Sequence, residues 1–228
     1  MNRDVQLDAN EARVFGVLIE KALTTPEQYP LTVNAATNGA NQKSNRYPVL
    51  CLSNDEVADA LERLVRKYLA RKVFPGNSRV EKYCHNGKDG LGLDFPALAV
   101  MAELLMRGPQ TLGELRTRVS RMTTLESLDQ LTGILEPLLA DGFIQRLPPA
   151  PGSRAERCVQ LLSPDLHPVE VEVRETGSQA KTRDPASGGL RADVHVRIDA
   201  LEVEVQRLRR QCESLAAKLG QRFDDGEA

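Results

Sequence analysis

The chain has 228 residues, 41% hydrophobic and 27% charged, which excludes disordered, collagen-like and disulfide-dense classes and leaves a globular protein with a genuine core. Thirty basic against 32 acidic residues give a formal charge of −2, so bulk charge does not draw the chain to nucleic acid and any anion-binding surface must be local. No run of 18 apolar residues occurs and no apolar stretch follows the N-terminal charges, which predicts a cytoplasmic protein without a membrane span.

In chain order, residues 10–23 read as an apolar helix, and Pro30, Leu31, Thr32 and Val33 open a short second helix that Thr32 can cap. Ser53 and Glu56 have capping-box spacing at the start of a third helix, whose apolar stripe is Val57, Leu61, Leu64 and Val65. Residues 70–74 and 79–84 then flank the turn residues Pro75, Gly76, Asn77 and Ser78, a hairpin by turn chemistry. The same order returns further on. An apolar helix over 96–106, a Thr111-capped short helix, a third helix with Leu131, Leu135, Leu138 and Leu139, and a hairpin over 143–162 repeat the spacing of Val57, Leu61, Leu64 and Val65 seventy-four residues later. An internal duplication is the economical explanation. Helix, helix, helix, hairpin is the order of a winged helix, in which the third helix is the usual major-groove probe and the hairpin is the wing. Pro137 is expected to kink or shorten the second copy of that helix.

Residues 163–189 have linker composition, with Pro164, Pro168, Gly177, Pro185, Gly188 and Gly189. Beyond them Val194, Ile198, Leu201, Val205, Leu208, Cys212, Leu215 and Leu219 alternate steps of four and three. That heptad pattern, with Arg197 facing Glu202 and Glu204 facing Arg209 across the seam, predicts a parallel two-stranded coiled coil and a homodimer. An amphipathic helix docked on its own domains fits the same pattern. The predicted architecture is therefore mainly α with small β wings, an α+β chain of tandem winged-helix domains plus a C-terminal coiled-coil helix. The boundaries are 1–92 and 93–162 for the winged domains, 163–189 for a flexible linker, 190–220 for the coil and 221–228 for a disordered tail.

Glu20 and Lys21, the run from Thr24 to Leu31, the run from Asn41 to Arg46 with Pro48 and Val49, then Arg79, Val80, Lys82 and Tyr83, and finally Gly113, Glu114, Leu115, Arg116 and Arg118 together resemble the signature of the bacterial YceH-like proteins. The likeness spans nearly the whole chain. It implies tandem winged-helix domains and implies no mechanism, because that fold serves both DNA binders and protein-interaction modules.

Only the first domain leans positive, with 13 basic and 11 acidic residues over 1–92, against 7 and 9 over 93–168 and 10 and 12 over 169–228. The candidate nucleic-acid contacts are Lys43, Asn45 and Arg46 before the third helix, Arg63, Arg66 and Lys67 late on it, Lys72, Arg79 and Lys82 on the first wing, and Arg116, Arg118 and Arg154 in the second domain. Against this stand Asp55, Glu56 and Asp59, and Glu126, Asp129 and Glu136, where base-reading donors would belong. Two readings remain, and the first, which the usual employment of the fold favours, is the expectation, with the second as its alternative. One is a transcription-regulator type that grips duplex DNA by wings and phosphate contacts; the other is a protein-interaction scaffold that does not meet DNA. Three scattered histidines, His85, His167 and His195, and four distant cysteines supply neither a catalytic constellation nor a metal site, so the expectation is a non-enzyme without cofactor or metal. Glu20 and Lys21 are expected to have a surface or helix-ending role.

Overall fold

The computed structural model of the protein describes residues 5–76, 80–150 and 152–168. They belong to one compact unit spanning Met1–Val171. The predicted coiled-coil residues and Arg79 lie outside the described residues.

Every helix of length starts on a side chain that accepts from its own first turn. Asp8 caps α1 (Ala9–Thr24), Thr32 caps α2 (Val33–Ala40) and Ser53 caps α3 (Asn54–Arg66). In the second half Asp94 caps α5 (Phe95–Arg107), Thr111 caps α6 (Leu112–Val119) and Ser127 caps α7 (Leu128–Ala140). Each cap satisfies one of the orphan N–H groups that a helix start leaves open. Pro137 sits inside α7, which nonetheless runs thirteen residues, as α3 does. The helix is therefore not shortened, although the proline lacks the N–H that an interior position would donate.

The stretches expected as wings form antiparallel hairpins, β1 (Ala70–Val73) with β2 (Lys82–His85), and β4 (Ile144–Leu147) with β5 (Arg157–Gln160). A short β3 (Gln110–Thr111) pairs with β5 on the edge away from β4. Leu31 makes the matching bridge to Tyr83 on β2. Both halves thus place the residues before the short helix on the outer edge of the second wing strand. The duplication seen in the spacing is a duplication of topology, an α+β arrangement compatible with the winged helix.

Between the halves lies α4 (Gly87–Leu91), which ends on Gly92 at φ 71°. A Cβ on Gly90 would lie 2.6 Å from the Tyr68 carbonyl oxygen. Backbone cannot move aside cheaply, so this glycine permits a close approach. Helices α1 and α5 are buried around most of their circumference and pack on each other, as helices that are apolar all round must. Gly16 makes their approach possible: a Cβ there would meet Met106 at 3.1 Å and Leu105 at 3.3 Å. One continuous apolar cluster contains Phe15, Leu61 and Tyr83 from the first half and Leu98, Leu135 and Ile144 from the second.

Residues 163–168 of the expected linker are part of the fold, and the rest of that linker and the expected tail lie outside the described residues. A 3₁₀ turn over Pro164–Leu166 and the buried Ser163, Leu166 and His167 hold residues 163–168 against the fold. Leu162 accepts from the Leu7 N–H at 2.7 Å. The imidazole of His167 lies 2.6 Å, at Nε2, from the Tyr47 carbonyl oxygen; a carbonyl can only accept, so Nε2 carries the proton. Burial pushes this imidazole below its ordinary value, and nearby Arg13 adds to the shift. Burial does the same to His85. The unfolded chain therefore binds protons that the folded chain refuses, so stability falls as the pH drops below about 6.5, by up to about 1.4 kcal/mol per pH unit for each such group. Urea midpoints across pH 5 to 8 should show this slope, and the His167→Gln variant should lose its share of it.

Candidate functional site

The third helix of the first half presents Asp55, Glu56 and Asp59 to solvent over its first two turns. Glu56 is committed to the capping box: the Ser53 N–H and hydroxyl both donate to it, and these bonds hold its carboxyl below the usual range. It stays ionised at any physiological pH. On α7 the exposed residues Asp129 and Glu136 follow Glu126, again with no cation among them.

The cations chosen from the sequence divide into groups. Arg63 and Lys67 turn back to the capping region of α1, Arg63 to Asp8 at 3.0 Å and Lys67 to the buried Glu11 at 2.6 Å. Lys72 reaches Glu62 at 2.6 Å and holds that carboxyl below the usual range. Arg118 pairs with Glu114 at 3.3 Å and donates to Gln110. Lys43, Arg66, Lys82, Arg116 and Arg154 make no ion pair among the described residues, and the same holds for Arg71.

Arg46 is a correction to the expected phosphate contacts. Its side chain is 0% exposed and bonds Glu20 bidentately, Nη2 to Oε2 at 2.6 Å and Nη1 to Oε1 at 3.4 Å. It also donates to the Gly39 and Asn45 carbonyls. Glu20 is therefore no surface or helix-ending residue: its carboxylate faces inward from α1 to neutralise this guanidinium. Residues 41–46 split accordingly. Asn41 turns inward and exchanges two hydrogen bonds with Leu52, at 2.7 and 2.8 Å. Asn45, at φ 62°, accepts from Arg107 at 2.7 Å. Gln42, Lys43 and Ser44 bond no other group among the described residues and face outward.

They face a cleft of about 710 Å³. One wall is the end of α1, with Glu20, Lys21 and Thr24; another is the 42–45 loop; the third is Arg121 with Met122, beyond α6. Arg121 is held there by Glu103 at 3.1 Å, which also takes Arg107 at 2.9 Å. Lys43 and Asn45 were expected contacts, and Arg121 belongs with Arg116 and Arg118 to the basic group around α6 that the sequence also offers to phosphates; Lys21 and Arg107 were not chosen. Arg121 was visible as one of three arginines around α6, but only the packing of α5 and α6 brings it opposite residue 43.

His85 accepts at Nδ1 from the Gly87 N–H, His167 is tied to Tyr47, and neither adjoins an activated nucleophile. Cys51, Cys84 and Cys158 are free thiols, and burial pushes Cys158 upward. Among the described residues no group of three or more His, Cys, Asp or Glu side chains could hold a metal ion, and no helix is long and apolar enough to cross a membrane.

The fold and its surface define an α+β protein of capped helices and small antiparallel sheets, with acidic third helices and one cation-lined cleft. A family described as a protein of unknown function, DUF480, matches residues 7–153. A UPF0502 protein from Enterobacter sp. (strain 638) is 43% identical over 223 residues, 95% of this chain and 99% of the relative. A UPF0502 protein from Citrobacter koseri is 42% identical over 222 residues, 94% and 98% of the two chains. The UPF0502 protein YceH of Salmonella paratyphi A is 40% identical over 223 residues, 95% and 99%. The chain belongs to this DUF480 family, which bears out the YceH-like resemblance.

Proposed function

We propose that the chain is a pair of winged-helix units acting as a protein-binding module, whose third helices do not enter duplex DNA. One observation carries the reading: the exposed first turns of α3 and α7 bear carboxylates, and of the cations on α3 and the first hairpin Arg63, Lys67 and Lys72 are spent on carboxylates of the protein itself, which leaves Arg66 at the far end of α3. A helix offered to the major groove must pass between phosphates, and Asp55, Glu56 and Asp59 would be repelled there. The same carboxylates suit a partner protein with a basic surface.

The decisive experiment is titration of the full chain with random duplex DNA as salt is raised. The reading expects no binding with a steep salt slope, and the Asp55→Lys, Asp59→Lys variant should gain such binding. Steep salt-dependent binding by the native chain, lost in Lys43→Glu, Lys82→Glu, would overturn it in favour of the second reading. That second reading, a grip on the DNA backbone, is favoured by Arg71 and Lys82: the strand register puts them on one face of the first wing, opposite the face of buried Tyr83.

Self-association through the heptads at 194–219 belongs to the same proposal. Removing residues 190–228 should then halve the mass in solution, read by light scattering; an unchanged mass would sink the coil.

A further inference from the structure

We propose that the cleft between the end of α1, the 42–45 loop and Arg121 is a binding site for a small phosphoanion, such as a diphosphate or a phosphorylated polyol. The cleft gathers Lys21, Lys43 and Arg121 from three separate segments. Behind them stand Arg46 and Arg107, so five cations face two carboxylates, Glu20 and Glu103. Both carboxylates are already engaged with guanidinium groups of the protein. The excess positive charge is felt inside: burial pushes Arg107 downward, and Arg118, Arg121 and Arg46 push it further against the opposing pull of Glu103. An anion seated in the cleft would relieve that repulsion.

Donors are free to receive it. The Lys43 ammonium, the Ser44 hydroxyl and the Gln42 amide make no hydrogen bond among the described residues. Together with Lys21 and Arg121 they form the mixed set of ammonium, guanidinium and neutral donors that phosphate oxygens take. The volume of about 710 Å³ lies in the small-molecule range. Among the described residues no aromatic side chain lines the cleft, so they offer a nucleobase no stacking surface and recognition falls on the phosphate itself. This site is independent of the protein-binding reading, since it lies at the junction of the halves and uses none of the acidic residues of α3.

The test is calorimetric titration of the full chain with pyrophosphate and orthophosphate, with a short random duplex as a separate arm. Pyrophosphate is expected to bind more tightly than orthophosphate. Lys43→Ala and Arg121→Met should each weaken it by roughly tenfold or more, the share of one charge-assisted hydrogen bond. Lys88→Ala, on α4, should leave it unchanged. Absence of pyrophosphate binding at millimolar concentration, or equal binding by the Lys43 and Arg121 variants, overturns the proposal. Binding of the duplex alone, lost in Lys43→Ala, also overturns it and assigns the cleft to the nucleic-acid backbone. Equal thermal midpoints of the variants and the native chain without ligand show that the fold is not the cause.

Discussion

Replacing Glu20 by alanine is expected to destabilise the protein by about 3–5 kcal/mol, the cost of stranding a buried charge. Its partner Arg46 is wholly enclosed, and Lys21, the next cation, lies only 3.8 Å from the same carboxylate. Without Glu20, the guanidinium keeps two carbonyl acceptors, Gly39 and Asn45, and no counter-charge. Removing both partners should cost less than removing Glu20 alone: in Glu20→Leu, Arg46→Met no charge is stranded and only the Gly39 and Asn45 carbonyls lose a donor. Urea midpoints at unchanged slope read both numbers. A single-variant loss below about 1 kcal/mol, the range of an exposed pair, would mean that water reaches Arg46.

That pair also marks where the sequence stopped being legible. Capping residues, the apolar stripes of α3 and α7 and the turn residues of the wings are local signals, and Ser53, Thr32 and Thr111 act as their spacing predicts. The duplication was visible because its hydrophobic spacing repeats over a whole unit. Burial of a charged residue depends on a partner far along the chain, and Glu20 and Arg46 are 26 residues apart. Nothing local separates Arg46 from Lys43, yet one is core and the other solvent-facing. Arg63, Lys67 and Lys72 were likewise chosen as free cations, because Glu11 and Glu62 meet them only once α1 and the first wing pack on α3. The need for glycine at position 90 comes from the Tyr68 carbonyl packed against it, a contact between elements that no local signal carries. His167 and the turn before it were hidden by a Pro-containing stretch that looks like linker and in fact ties His167 to the Tyr47 carbonyl of the first half.

The same packing decides whether the two halves are separate domains in the energetic sense. Leu105 is fully buried on α5 and touches α1 where Gly16 lets the helices approach. Leu105→Ala should cost about 2–5 kcal/mol through lost transfer energy and the cavity left behind. Because the apolar cluster crosses from one half to the other without a break, the loss should be shared. Amides of α3 in the first half and α7 in the second should show the same drop in protection by hydrogen exchange, and heat should unfold both in one transition. If α1 and α5 instead met as a loose interface between independent domains, only α7 and the second wing would weaken and α3 would keep its native protection. The same contact fixes the cleft: Lys21 rides on α1, while Glu103 on α5 holds Arg121, so the distance between those two cations is set by the packing that Leu105 helps to make, and Leu105→Ala should loosen it.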